Sequence, residues 1–78
     1  MDEQSLRQHI VDALIHVAPE VDPNTLNPAS NFRDQFEMDS VDFLGFVLDL
    51  EKRLGRRIPE LDYPKLSSLQ GCLAYLQD

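Results

Sequence analysis

Seventy-eight residues, 42% of them hydrophobic and 27% charged, provide enough chain for one small domain and too much apolar surface for wholesale disorder. The 14 acidic residues against 7 basic ones leave a net charge of −7, the wrong sign for gripping a phosphate backbone, which argues against nucleic-acid binding. No apolar run reaches the roughly 20 residues of a membrane span. The polar start Met1-Asp2-Glu3-Gln4 shows no secretory signal, and a lone Cys72 rules out an internal disulfide.

Leu6, Ile10, Ala13, Leu14, Val17 and Ala18 recur at spacings of three and four, which predicts an amphipathic first helix ended by Pro19. A long connection follows from Pro19 to Asp39, rich in Pro, Asn and Ser and too broken to be one regular element. Val21, Leu26, Phe32 and Phe36 are spaced along it as anchors to a core, so it reads as a functional, tethered loop. The second helix has the clearest signals: Asp39 as N-cap, Asp42 in the first turn, and the stripe Phe43, Phe46, Val47, Leu50 and Leu54. Lys52 and Arg53 fall in its last turn and Gly55 supplies the stop. Residues 61–65 are expected to make one short turn at most, given Pro64. A last helix capped by Ser67 or Ser68 is expected to bury Leu69, Cys72, Leu73 and Leu76. With no β-alternation and no internal repeat, the chain reads as an all-α bundle carrying one long loop.

The charge is uneven. Residues 20–51 hold eight carboxylates against Arg33 alone, a sum of −7, whereas residues 52–78 sum to +2. On the second helix Val41, Leu44 and Leu48 form an apolar strip offset from the core stripe, with Asp42, Asp49 and Glu51 around it. An apolar strip rimmed by carboxylates suits docking of a basic, partly apolar protein partner. The alternative is that Leu44 and Leu48 pack beneath the loop.

Catalytic chemistry finds little support. Ser40 lacks the flanking glycines of a nucleophile elbow, His9 and His16 lie two turns apart on the first helix, and Gly45, Gly55 and Gly71 make no phosphate-binding loop. His9, His16 and Cys72 are too few and too scattered for a metal site. Ser40 stands out for another reason. At the first position of a helix its hydroxyl should be exposed, where unpaired N–H groups and the helix dipole would tolerate an attached phosphate. An ordinary helix-start serine that shares in capping is the plainer alternative.

The segment Phe36-Glu37-Met38-Asp39-Ser40-Val41-Asp42 resembles the Asp-Ser-Leu motif of acyl carrier proteins. The preceding Val21-Asp22-Pro23-Asn24-Thr25-Leu26 and Phe32-Arg33-Asp34-Gln35-Phe36, the Leu50-Glu51 and Ile58-Pro59 pairs, and Lys65 to Gln70 with Ala74-Tyr75-Leu76 extend the likeness over essentially the whole chain. The resemblance implies an acyl-carrier-protein-like four-helix bundle with a long first loop and a short third helix, a single carrier domain over residues 1–78. It implies that a phosphopantetheinyl transferase attaches 4′-phosphopantetheine from coenzyme A to Ser40. The arm would carry acyl or aminoacyl groups as thioesters for loading and processing enzymes. Asp39, Val41, Asp42, Leu48 and Glu51 match the family's partner face, and Phe32, Phe43, Phe46, Leu50, Leu66 and Leu69 match the lining of its acyl cavity. A free-standing, cytoplasmic, monomeric carrier without catalytic residues or metal is expected.

Three departures bear on the cargo. Phe43 and Phe46 replace smaller or aliphatic residues, Lys52, Arg53, Arg56 and Arg57 replace a commonly acidic stretch, and Gly45 takes a docking-face position usually held by a carboxylate. They favour a specialised acyl or aminoacyl carrier at least as much as a fatty-acid one, with Phe43 keeping the pocket small. An unmodified, carrier-like interaction module is the competing reading.

Overall fold

A computed structural model describes residues 1–77 of the chain and leaves Asp78, the last residue of the expected domain, outside the described residues. The described part is all-helical. Helix α1 spans Glu3–Val17, α2 Phe32–Gln35, α3 Ser40–Leu54 and α4 Leu69–Leu76, and a 3-10 helix at Glu60–Leu66 lies between α3 and α4. Helix α1 packs mainly against α3 and also against α4, and the 3-10 helix packs on α4.

Asp2 caps α1 by accepting from Ser5 N at 2.7 Å. Leu6, Ile10, Ala13, Leu14 and Ala18 are buried as the periodicity predicts. Val11 is buried too and Val17 only half-buried, because α1 meets two helices and needs a wider apolar arc than a single stripe.

The loop after α1 is tied down by its own polar side chains. Gln35 Nε2 donates to the carbonyls of Asn27 and Ser30 at 2.8 and 2.9 Å, and its Oε1 accepts from Asn27 N at 2.9 Å. Val21, Leu26 and Phe32 are buried anchors, while Phe36 is half-buried. Phe32 N donates to Ser67 O at 2.8 Å, and Gln70 N to Pro28 O at 2.9 Å, fastening the loop to the start of α4. The single turn α2 is absent from the sequence expectation. Its four residues are too short to show a period, and tertiary contacts hold it.

Two further differences have physical causes. The 3-10 helix runs seven residues, through Pro64, where one short turn was expected. A proline ring fixes φ near about −65°, within the 3-10 range, so Pro64 forfeits an N–H donor without breaking the element. Gly45 does not look outward: a Cβ there would lie 3.3 Å from Val17 Cγ1, so this position lies against α1 and serves helix packing rather than docking. The stop at Gly55 is as expected, with φ of 64° in the left-handed region that glycine enters freely.

The buried side chains form one cluster. Phe32 and Phe46 meet edge to face with centroids 5.4 Å apart, and Phe43 leans on Phe46 at 6.0 Å. Ser68, rather than Ser67, caps α4, accepting from Gly71 N at 3.0 Å. Leu69, Cys72 and Leu76 point inward, and Leu73 is half-buried. Tyr75 OH donates to Asp62 Oδ2 at 2.6 Å and clamps α4 to the 3-10 helix.

Candidate functional site

Helix α3 begins at Ser40 because Asp39 and Asp42 form a reciprocal capping box. Asp39 Oδ1 accepts from Asp42 N at 2.8 Å, and Asp42 Oδ2 accepts from Asp39 N at 3.4 Å. The cap is complete without the serine. Ser40 is exposed, and among the described residues its hydroxyl has no hydrogen-bond partner. The plainer alternative, a serine that shares in capping, does not describe this helix start. The cap leaves the N–H groups of Ser40 and Val41 without intrahelical acceptors, beside the positive end of a 15-residue helix.

Ser40 borders an open groove of about 440 Å³. Phe43 and Leu44 of α3 form one wall; Glu60, Tyr63 and Pro64 of the 3-10 helix form the other, with Ser67 just beyond it. Asn31 and Arg33 line the groove from the loop side. Arg33 Nε donates to Met38 O at 3.3 Å, pinning the segment that leads into Ser40.

Val41, Leu44 and Leu48 are 73%, 43% and 50% exposed, so the apolar strip faces outward and neither leucine is packed beneath the loop. The carboxylates around the strip are partly committed. Glu51 Oε2 accepts from Ile58 N at 2.6 Å and holds the exit from α3, while Asp49 pairs with Arg53 at 2.6 Å. Asp39 and Asp42 spend oxygens on the cap. Of the six residues matched to an acyl cavity, Phe43 lines the groove; Phe32, Phe46, Leu50, Leu66 and Leu69 are fully buried and do not.

The remaining reactive groups lie elsewhere. His9 is half-buried and His16 exposed on α1, and among the described residues neither hydrogen-bonds to Ser40. No grouping of His, Cys, Asp and Glu able to hold a metal occurs among the described residues. Cys72 Sγ donates to Leu66 O at 3.3 Å, and burial pushes its thiol up to about 12, far from a nucleophilic thiolate. No helix among the described residues is long and apolar enough to cross a membrane. Sequence reasoning did not single out Tyr63 or Arg33 for the groove. Arg33 did carry a signal, as the one cation among eight carboxylates.

The model of the phosphopantetheine attachment site family matches residues 8–76. The chain belongs to that family. It is 30% identical over 77 residues to the acyl carrier proteins of Lactobacillus acidophilus and Lactobacillus johnsonii, covering 99% of this chain and 95% of each relative. The acyl carrier protein of Chlorobium phaeobacteroides is 26% identical over 76 residues, covering 97% of this chain and 96% of the relative. Its prosthetic group is 4′-phosphopantetheine, and membership favours the carrier reading over an unmodified interaction module. The site fits such a group: an accessible hydroxyl with no competing partner, unpaired helix N–H groups for a phosphate, and a groove leading away.

Proposed function

We propose that Ser40 Oγ is the atom through which this chain, an acyl carrier, bears its 4′-phosphopantetheine arm. The observation that carries this is the exposed hydroxyl at the first position of a helix that Asp39 and Asp42 already cap. In the attachment step the serine oxygen forms a bond to the pantetheine-side phosphorus of coenzyme A. The pyrophosphate P–O bond breaks, 3′,5′-adenosine bisphosphate leaves, and the serine proton passes to the transferase. When bound, the group supplies a thiol that holds acyl cargo as a thioester.

The chain's own residues do the rest. The capping box fixes the direction of Ser40, and the first-turn N–H groups stabilise the phosphoester by about 0.3–1 kcal/mol. Val41, Leu44 and Leu48, with the free oxygens of Asp39, Asp42 and Glu51, offer a docking face to the transferase and to loading and processing enzymes. The chain works as one cytoplasmic, monomeric carrier domain and contributes no catalytic side chain. The packed rings of Phe43 and Phe46 favour a short or polar cargo, specialised acyl or aminoacyl, over a long alkyl chain.

Intact-mass measurement after incubation with coenzyme A and a broad-specificity transferase tests the assignment. The native chain gains the mass of one phosphopantetheine and Ser40→Ala gains none. An undiminished adduct on the variant, or none on the native chain, refutes it.

A further inference from the structure

Arg33 is the single cation between residues 20 and 51, and it lines the groove that begins at Ser40. Its Nε is engaged by Met38 O at 3.3 Å, two residues before the serine. Among the described residues its terminal amino groups make no hydrogen bond and no ion pair, although Asp34 and Glu37 are its near neighbours in sequence. A guanidinium held by one N–H, with its remaining donors open, is ready for an anion. The surrounding carboxylates exclude an acidic protein segment as that anion. What an acidic surface does tolerate is a negative group tethered covalently beside the cation, since the tether supplies its local concentration.

We propose that Arg33 pairs with the phosphodiester of the arm and steers the arm into the groove between α3 and the 3-10 helix. The proposal rests on Ser40 as the attachment point. The groove's lining is mostly apolar with several polar groups among it, a mix that an arm with methyl groups, a hydroxyl and amides can meet. Phe43, Tyr63 and Pro64 give apolar contact for the paired methyl groups of the pantoyl unit. Asn31, Ser67 and Glu60 supply polar partners for the arm's hydroxyl and amides. An arm held there occupies the groove itself and keeps its thiol at the surface.

The test uses holo protein prepared from apo chain and coenzyme A, with the adduct first verified by mass. Native holo protein shows nuclear Overhauser contacts from the pantoyl methyl groups to the rings of Phe43 and Tyr63, and apo-to-holo amide shifts extend to Tyr63 and Ser67. In Arg33→Gln those contacts vanish and the shifts shrink to residues 39–42, while the apo spectra of native and variant chains agree over the same residues. Arg33→Lys, which keeps charge but not the planar fork, retains part of the effect. Raising salt weakens the native contacts toward the Arg33→Gln pattern, which loss of a merely structural Nε contact would not produce.

Full contacts in holo Arg33→Gln, or none in native holo protein, overturn the proposal. So does an Arg33 effect that appears only when the thiol bears a succinyl rather than a butyryl group, because the bound anion is then the cargo's carboxylate. Absence of any adduct fails at the mass step, before Arg33 is probed, and refutes the reading of Ser40 instead.

Discussion

Of the three glycines, Gly71 has the least room for a side chain, and changing it to alanine has a sign that can be worked out. A Cβ on Gly71 would lie 2.5 Å from Lys65 O and 3.1 Å from Ser68 Oγ. The nearer atom is backbone of the 3-10 helix, so relief requires moving the whole turn that carries Tyr63 and Pro64 against α4. Overpacking costs about 1–3 kcal/mol, and a 2.5 Å approach to a backbone atom belongs at the upper end, about 2–3 kcal/mol. Alanine's helix preference over glycine returns about 1 kcal/mol. Gly71→Ala is therefore expected to lose about 1–2 kcal/mol, a substantial part of the roughly 4–12 kcal/mol that per-residue scaling gives a chain of this size. Urea unfolding followed by circular dichroism measures it, with Gly45→Ala as the comparison. At Gly45 the nearest atom is a side-chain tip, Val17 Cγ1 at 3.3 Å, on a half-buried residue at the end of α1 that can shift. There the helix gain of about 1 kcal/mol dominates and stability holds or rises. A Gly71→Ala chain as stable as the native one would refute the reasoning, by showing that the junction yields freely.

Thiol counting separates apo from holo protein: Cys72, buried and pushed up to about 12, stays silent to a thiol reagent in native apo protein, whereas holo protein reads one thiol. Two fast-reacting thiols in folded holo protein would contradict the buried placement of Cys72. Val41→Asp and Leu48→Asp, at 73% and 50% exposure, should leave the thermal midpoint within about 2–4 °C while slowing modification by the transferase several-fold. A calorimetric midpoint and a modification rate check the two halves. Asp62 is held below its ordinary value of 3.8, first by the Tyr75 hydroxyl and then by Lys65. A carboxylate whose folded pKa is depressed stabilises the fold above that ordinary value and loses the contribution as pH falls through the folded pKa. The stability gap between native chain and Tyr75→Phe should accordingly narrow from pH 7 to pH 3, and a gap that widens would refute the sign.

Much of this was readable from the residues because periodicity and capping act locally. Asp39, Asp42, Phe46, Leu50 and Gly55 announce α3 and its two caps, and its structure follows that announcement closely. Ser40 was legible as exposed for the same reason, since a first-turn position before an inward stripe points to solvent. What was not legible depends on distant pairings. The turn α2 forms because Phe32 reaches the core and Gln35 reaches back to Asn27, contacts that no window of sequence displays. Pro64 was read as a breaker by an α-helix rule, and a 3-10 helix is not bound by it. The side of Gly45 could not be seen until Val17 was placed beside it.

The same distinction explains why the groove was the hardest feature to foresee. Its walls come from three separate segments, and of the six residues matched to an acyl cavity only Phe43 helps to shape it. Phe32, Phe46, Leu50, Leu66 and Leu69 close together into a core, which leaves the space beside Ser40 to Phe43, Leu44 and Tyr63 on the apolar side and to Arg33 on the polar side. A carrier must keep its attachment point rigid while its cargo remains reachable by other proteins. With Ser40 as the proposed attachment point, this molecule divides the two demands physically: tightly packed side chains hold the helix that presents the serine, while the apolar strip and the groove lie open at the surface. The rings that fill the interior therefore do not argue against carrying. They leave the open groove, rather than the interior, as the space beside the proposed attachment point.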